Sequence, residues 1–349
     1  MSVRGRRAHS GGLDTPGTFR ADDKNPSAGL GGAFIGRLLV AALCAGAIIL
    51  EMPAAALAGP SSIPPIDDSF YVYPGDTPST AYTLGCDQGN YDGQVNQDSV
   101  VILDFGAQTS DSSGTYLPSS STFWSNGSDE FYAANFAEGY QGCNHGKVLT
   151  LAVATNNDGS VTDGHLGAVW GTVVQAVANN AQQSGYVNVS VAGAGDWEAG
   201  FGPFAHLNGW VNGDGSGGGY VSTYSVPLFD FGSADGCPQQ YGQYQNIQCT
   251  GDWYQSSNWY AAWGWGPAYA TPEIYYNGCD GNAAQDLQWG MISLEGAVYQ
   301  GSEIPFTGPM TSAGTCDTPV DAYIDLWNVI NNNSKTAMTP SSLLQITTV

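Results

Sequence analysis

Apolar positions along this chain fall into short blocks of two kinds. Continuous runs recur: Val100-Val-Ile-Leu103 leads into Asp104, Lys147 to Thr155 is nearly all apolar, and Val187 to Ala192 alternates and is rich in valine. Such blocks predict strands, the first two buried on both faces. Between the last two, Leu166, Val169, Trp170, Val173, Val174 and Val177 repeat at i, i+3, i+4 spacing, and Gly185 ends the pattern. This predicts a helix over 166–184. Strand, helix and strand over this length predict a right-handed crossover within a parallel sheet.

The same reading predicts strands near 84, 101, 149, 189, 225, 260, 273 and 306. Helices are expected over 130–139, 201–211, 282–292 and 322–331. Residues 59–80 read as an irregular lead-in, 81–331 as a single domain, and 332–349 as a polar tail. Eight strand–helix units in about 250 residues are the size of a (β/α)₈ barrel. The fold class is therefore α/β, a TIM-type barrel, with a doubly wound open parallel sheet as the alternative. Either arrangement places its site at the carboxyl ends of the strands.

The first 58 residues read differently. Arg4, Arg6, Arg7, Arg20, Lys24 and Arg37 precede the apolar run Leu38–Leu50, and Ala56-Leu-Ala58 follows. A basic region, an apolar run too short to span a membrane comfortably and a small-residue cleavage site predict a signal peptide over 1–58 with a long basic region. The expected location is therefore extracellular, as a secreted bacterial protein with no membrane association after cleavage. The 291 residues after Ala58 keep Lys147 and Lys335 as their only cations, with no arginine, against 27 acids. A net charge of −25 cannot neutralise phosphates, so nucleic acid is excluded as a partner. Self-repulsion would fall on acidification, which predicts tolerance of acidic surroundings.

Six cysteines follow the signal: Cys86, Cys143, Cys237, Cys249, Cys279 and Cys316. In an exported chain they read as three disulfides. Proximity alone suggests Cys86–Cys143, Cys237–Cys249 and Cys279–Cys316. No C-x-x-C occurs, so no metal is expected. Gly213-x-Gly215-x-x-Gly218 has no strand ahead of it and reads as a flexible loop, so no cofactor is expected.

The candidate chemistry lies at or near predicted strand ends, where Asp87, Asp104, Asp196, Glu198, Asp230 and Glu273 fall. In so sparsely charged a chain that placement is the main functional signal. Gly193-Ala-Gly-Asp196-Trp197-Glu198 delivers two carboxylates with one residue between them. In extended backbone residues i and i+2 share a side, so Asp196 and Glu198 should project together. Trp197, Trp263 and Tyr275 are candidate stacking partners for sugar rings, with Asp104 and Asp230 as further binding residues.

Gly85-Cys86-Asp87 and Asp196-Trp197-Glu198 together resemble the lysozyme-like glycoside hydrolase family 25, which opens with a Gly-x-Asp strand and carries Asp-x-Glu on a middle strand. The resemblance implies a (β/α)₈-type domain in which Glu198 is the general acid, assisted by Asp196 and Asp87. Asp196 would orient a substrate amide or stabilise a cationic transition state. That family carries another Asp in its final strand, and Ile304-Pro-Phe-Thr-Gly-Pro309 has none. A second assignment follows retaining glycosidases of the large barrel clan, with the acid after the fourth strand and the nucleophile on the seventh: Glu198 and Glu273.

Two functions follow. One is a secreted glycoside hydrolase cleaving a cell-wall or other polysaccharide by carboxylate general acid catalysis. The other is a non-catalytic carbohydrate-binding or surface protein on the same scaffold. The partner is a polysaccharide or glycan in both. His145, His165 and His206 form no H-E-x-x-H, and no G-x-S-x-G occurs, which argues against metal and serine hydrolases.

Overall fold

The computed structural model describes residues 59–157, 163–215, 217–224, 226–240, 246–266, 268–276 and 284–348. The expected signal peptide and Cys279 lie outside the described residues. The elements, in chain order, are β1 (Asp67–Tyr71), α1 (Pro78–Val95), β2 (Ser99–Gln108), β3 (Gly114–Tyr116), β4 (Phe123–Ser125), α2 (Asn126–Cys143), β5 (Leu149–Asn156) and α3 (Gly164–Gln183). There follow β6 (Val189–Asp196), α4 (Phe204–Asn212), α5 (Gly219–Thr223), β7 (Leu228–Asp230), α6 (Gln255–Trp259), β8 (Ala268–Ala270), α7 (Gln285–Glu295), β9 (Met310–Ser312), α8 (Pro319–Asn331) and β10 (Leu344–Thr348).

Among the described residues, eight strands form a parallel sheet in the order β8-β7-β6-β5-β2-β1-β10-β9, curled into a half-barrel. Beyond β8 the chain runs on beside β9: Met310 N–H donates to Pro272 O and Ile274 N–H to Met310 O, both at 2.9 Å. The β3–β4 hairpin hangs antiparallel from the carboxyl end of β2. One face of the sheet packs Ile102, Ala154, Ala194, Phe229, Phe231, Met310 and Ile346 against one another. The other face packs against helices, through Leu103, Val153, Leu166, Trp170 and Val174 among others.

The crossover β5-α3-β6 is as expected. Asp163 caps α3 by accepting from Leu166 N–H at 2.9 Å, the usual device for the free amides of a first turn. Other expectations shift. The lead-in 59–80 contributes β1, and the tail 332–349 contributes β10, which pairs with β1 from Asp67↔Leu344 to Tyr71↔Thr348. The strand expected near 84 is α1. Thr77 caps that helix in a capping box with Thr80, and Pro78 opens it. Its glycines serve close packing: a Cβ on Gly85 would meet Phe136 O of α2 at 2.1 Å. The strand expected near 225 is α5 followed by β7, and the one near 260 is α6 with a following helical turn. Near 306 only a bridge from Phe306 to Ala270 forms, and the strand itself begins at Met310.

Cys86–Cys143 joins α1 to α2, and Cys237–Cys249 closes the loop after β7. Cys316 is also disulfide-bonded. Among the described residues no helix is long and apolar enough to cross a membrane.

Candidate active site

Carboxyl ends of adjacent parallel strands lie side by side, so residues distant in sequence converge there. Asn156 ends β5 and pairs with Asp196, which ends β6. Asp230 ends β7 opposite Gly195, and Glu273 follows β8. One carboxylate oxygen each from Asp196, Glu198 and Glu273 lies within 4.8 Å of the other two. All three residues are half-buried.

The alternation expected of an extended strand end produces two of the three members of this cluster. Asp196 and Glu198 point into the site, while Trp197 between them points the opposite way. Its indole is 1% exposed and packs edge-on against Trp210, with ring centroids 4.8 Å apart. A Cβ on Gly195 would meet that indole at 2.0 Å, so glycine is what lets the ring fold back under the strand. Trp197 is therefore a core residue rather than a sugar platform.

Two side chains hold the glutamates in place. Asn157 is buried, donates from Nδ2 to Glu198 O at 3.0 Å and accepts Glu198 N–H at Oδ1 at 3.2 Å. Gln285 of α7 accepts Tyr275 and Tyr276 N–H at Oε1, at 2.7 and 3.0 Å, and its Nε2 faces Glu273 Oε1 at 3.4 Å. Neither residue follows from any motif. Amides that secure a backbone carry no periodic or spacing signal.

Three acids this close in a partly dry site cannot all ionise freely. Burial raises Asp196 well above the ordinary carboxylate range, and the charges of Glu198, Glu273, Asp104 and Asp230 add to the effect. Glu273 is raised well above its range by burial first, then by the charges of Glu198 and Asp235, and it shares a side-chain hydrogen bond with Glu198. The cluster thus holds protons to higher pH than isolated carboxylates do. Oxygens at this spacing also make a donor set for a hard divalent cation, the other way such a site neutralises three acids.

The remaining candidates have other places. Asp104 is fully buried and accepts Gly106 N–H at 2.8 Å; burial pushes it up to about 6. Asp230 is buried too, pushed up to about 7 by burial, and accepts the backbone N–H groups of Gly232 and Trp197. Both secure the strand ends that carry the cluster. Tyr275 is buried with its hydroxyl 3.3 Å from that of Tyr71, a residue the lead-in reading missed. Asp87 is exposed on α1, not at a strand end, so it is no part of the cluster. Trp263 lies in the helical turn ahead of β8 and donates to Ser302 Oγ at 2.8 Å. Glu273 follows the sixth parallel strand in chain order; the seventh, β9, carries no acid. Ser112 Oγ, in the turn after β2, and His165 Nε2, at the start of α3, approach to 3.0 Å outside the carboxylate cluster. Comparison with family models, with curated proteins and with solved structures returned no match, so the reading of this site rests on its own geometry.

Proposed function

We propose that this chain is a secreted glycoside hydrolase acting on a polysaccharide, with Glu198, Glu273 and Asp196 as its reacting groups. The single observation that carries the reading is the carboxylate trio, with oxygens within 4.8 Å at the carboxyl ends of parallel strands. Glycoside hydrolysis needs one carboxyl group that holds a proton and a second that meets positive charge at the anomeric carbon. The shared hydrogen bond between Glu198 and Glu273 supplies that pairing. Glu198 delivers its proton to the leaving oxygen as the glycosidic bond breaks and Glu273 bonds the anomeric carbon; water, giving its proton to Glu198, then displaces Glu273, and Asp196 orients the substrate beside them. This keeps Glu198 as general acid without relying on Asp87 or on a seventh-strand acid.

The same proposal extends to the fold. The strand order is a cyclic permutation of chain order, and the segment after β8 bonds to β9. A doubly wound sheet would instead place β9, not β10, beside β1. We read the sheet as a (β/α)₈ barrel closed at that seam. The disulfides favour export, in line with the signal expected over 1–58.

Reducing-sugar release from neutral polysaccharides at pH 3 to 7, wild type beside Glu198→Gln, tests the reading. Release by wild type alone supports it. Equal release by both moves the acid elsewhere. Binding without release favours a non-catalytic carbohydrate-binding protein, and release abolished by a chelator favours the cation.

A further inference from the structure

Next to the carboxylate trio, toward the carboxyl ends of β5 and β2, lies a cavity of about 550 Å³ that the catalytic reading leaves unused. It is walled by the β3–β4 hairpin, through Tyr116, Pro118, Ser119, Ser120 and Ser121, and floored by Asn156. We propose that this cavity is a binding subsite for an uncharged stretch of polysaccharide, with Tyr116 as its sugar platform. The inference rests on the glycosidase reading of the neighbouring carboxylates and names the substrate class for it.

Position comes first. Asn156 is the last residue of β5 and pairs directly with Asp196, so the cavity floor is one strand spacing, about 4.8 Å, from the Asp196 member of the trio. A chain threaded through the trio has this cavity as its next stop. The volume falls within the range of small-ligand sites.

The lining chemistry comes second. Tyr116 is 48% exposed and stands edge-on to Phe123 across the hairpin, ring centroids 6.3 Å apart. An exposed aromatic pair held on a rigid hairpin offers an apolar ring face with a hydroxyl at its rim. A pyranose has the matching surfaces, a face of C–H groups and a rim of hydroxyls. Ser119 and Ser121 are exposed beside it, and Ser119 sits at φ +54°, in the left-handed region. Such backbone is more often kept at functional loops than elsewhere.

Charge comes third. None of the lining residues is charged, and residues 59–349 contain two lysines and no arginine. A polyanion would meet no counter-charge here and would be repelled by the trio.

The hairpin is also tied to the site. Gly106 sits at φ +78° where β2 bulges, with its N–H on Asp104 and its O accepting Thr155 Oγ1–H at 2.7 Å. A Cβ there would meet Tyr116 O at 2.2 Å. Asp104 thereby fixes the base of the platform relative to the strand ends that bear the carboxylates.

The test uses the full chain and its Tyr116→Ala and Tyr116→Phe variants. Substrates are the neutral polysaccharide that wild type cleaves fastest among cellulose, xylan, mannan and chitin, and the matching aryl monoglycoside. Tyr116→Ala should lower kcat/KM on the polymer about 2- to 12-fold, the range of one aromatic contact, and leave the monoglycoside rate unchanged. Tyr116→Phe should keep the polymer rate. An unchanged polymer rate in Tyr116→Ala, or an equal loss on both substrates, overturns the subsite while leaving the glycosidase reading intact. If wild type cleaves nothing, the glycosidase reading fails, and affinity electrophoresis in the same four polymers decides the subsite. Retardation of wild type that weakens in Tyr116→Ala supports it. Equal mobility, or no retardation at all, overturns it.

Discussion

The side chains of Glu198 and Glu273 share a hydrogen bond although the strands that present them, β6 and β8, are separated by β7. Two carboxyl groups bond in this way only when a proton lies between them. The geometry therefore keeps the pair singly charged over a pH range in which isolated glutamates would both be ionised.

Removing one member should expose that coupling. Glu198→Gln is expected to lower the hydrolysis rate about 10²- to 10⁴-fold, the usual contribution of a positioned general acid. Glu273 should then titrate closer to its ordinary range, because the Glu198 charge that helps raise it is gone. Rate measurements together with carboxyl-carbon NMR titration check both outcomes. A variant that keeps its rate would remove Glu198 from the chemistry.

Stereochemistry follows from the spacing. Inverting glycosidases hold their carboxyl groups about 6.5–9.5 Å apart to seat a water, and retaining enzymes about 5–5.5 Å apart. Oxygens within 4.8 Å leave no such seat and lie nearer the retaining distance than the inverting one. The first product anomer should keep the configuration of the substrate, which proton NMR of early time points reads directly. Inversion would break the assignment of the pair.

Asn157 is expected to act by placing Glu198 rather than by touching substrate. Asn157→Ala removes both bonds to the Glu198 backbone. A displacement of about 1 Å at a reacting group can cost about 10²-fold, so kcat should fall by one to two orders of magnitude while KM stays nearly constant. Stability should drop by about 1–3 kcal/mol from two lost hydrogen bonds. A matching rise in KM would mean that Asn157 binds substrate instead.

Stability should rise on acidification. Burial pushes Asp67 up to about 8, Asp230 to about 7 and Asp104 to about 6, against about 3.9 in an unfolded chain. Between about pH 4 and pH 8 the folded chain therefore binds more protons than the unfolded one. Stability is then greatest at the acidic end of that window and is lost as pH rises through the folded values. The melting temperature should be higher at pH 5 than at pH 8, and Asp67→Asn should flatten the slope between pH 6 and 8. A maximum above pH 7 would contradict the expectation.

How much of this was legible in the sequence varies by element. The core strands β2, β5 and β6 and helix α3 were readable because burial on both faces, or along one stripe, imposes a periodicity on composition. So was the joint projection of Asp196 and Glu198, since alternation along extended backbone is a local property. Asp230 was placed correctly at a strand end, whereas Asp104 lies within β2, four residues before its end; both bond to backbone.

The errors share a cause. Helix α1 reads as strand and turn because its glycines suit close packing on α2, a contact with no signature within its own stretch. Strands β1 and β10 were hidden in a lead-in and a tail, since each is short and is completed by the other across the sheet. Reading the helical segment 255–264 as a strand near 260 moved Glu273 from the sixth strand to the seventh. Trp197 looked like a sugar platform because its neighbours are the candidate carboxylates, yet alternation turns it into the core. The sequence by itself determined the α/β class, the acidic balance and the local pairing of Asp196 with Glu198. Only the tertiary structure decided that Glu273 completes the trio, that Asn157 and Gln285 hold it, and that Asp87 and Trp263 take no part in it. Those relations depend on which strands lie side by side, and strand order is set by long-range packing that no stretch of sequence encodes alone.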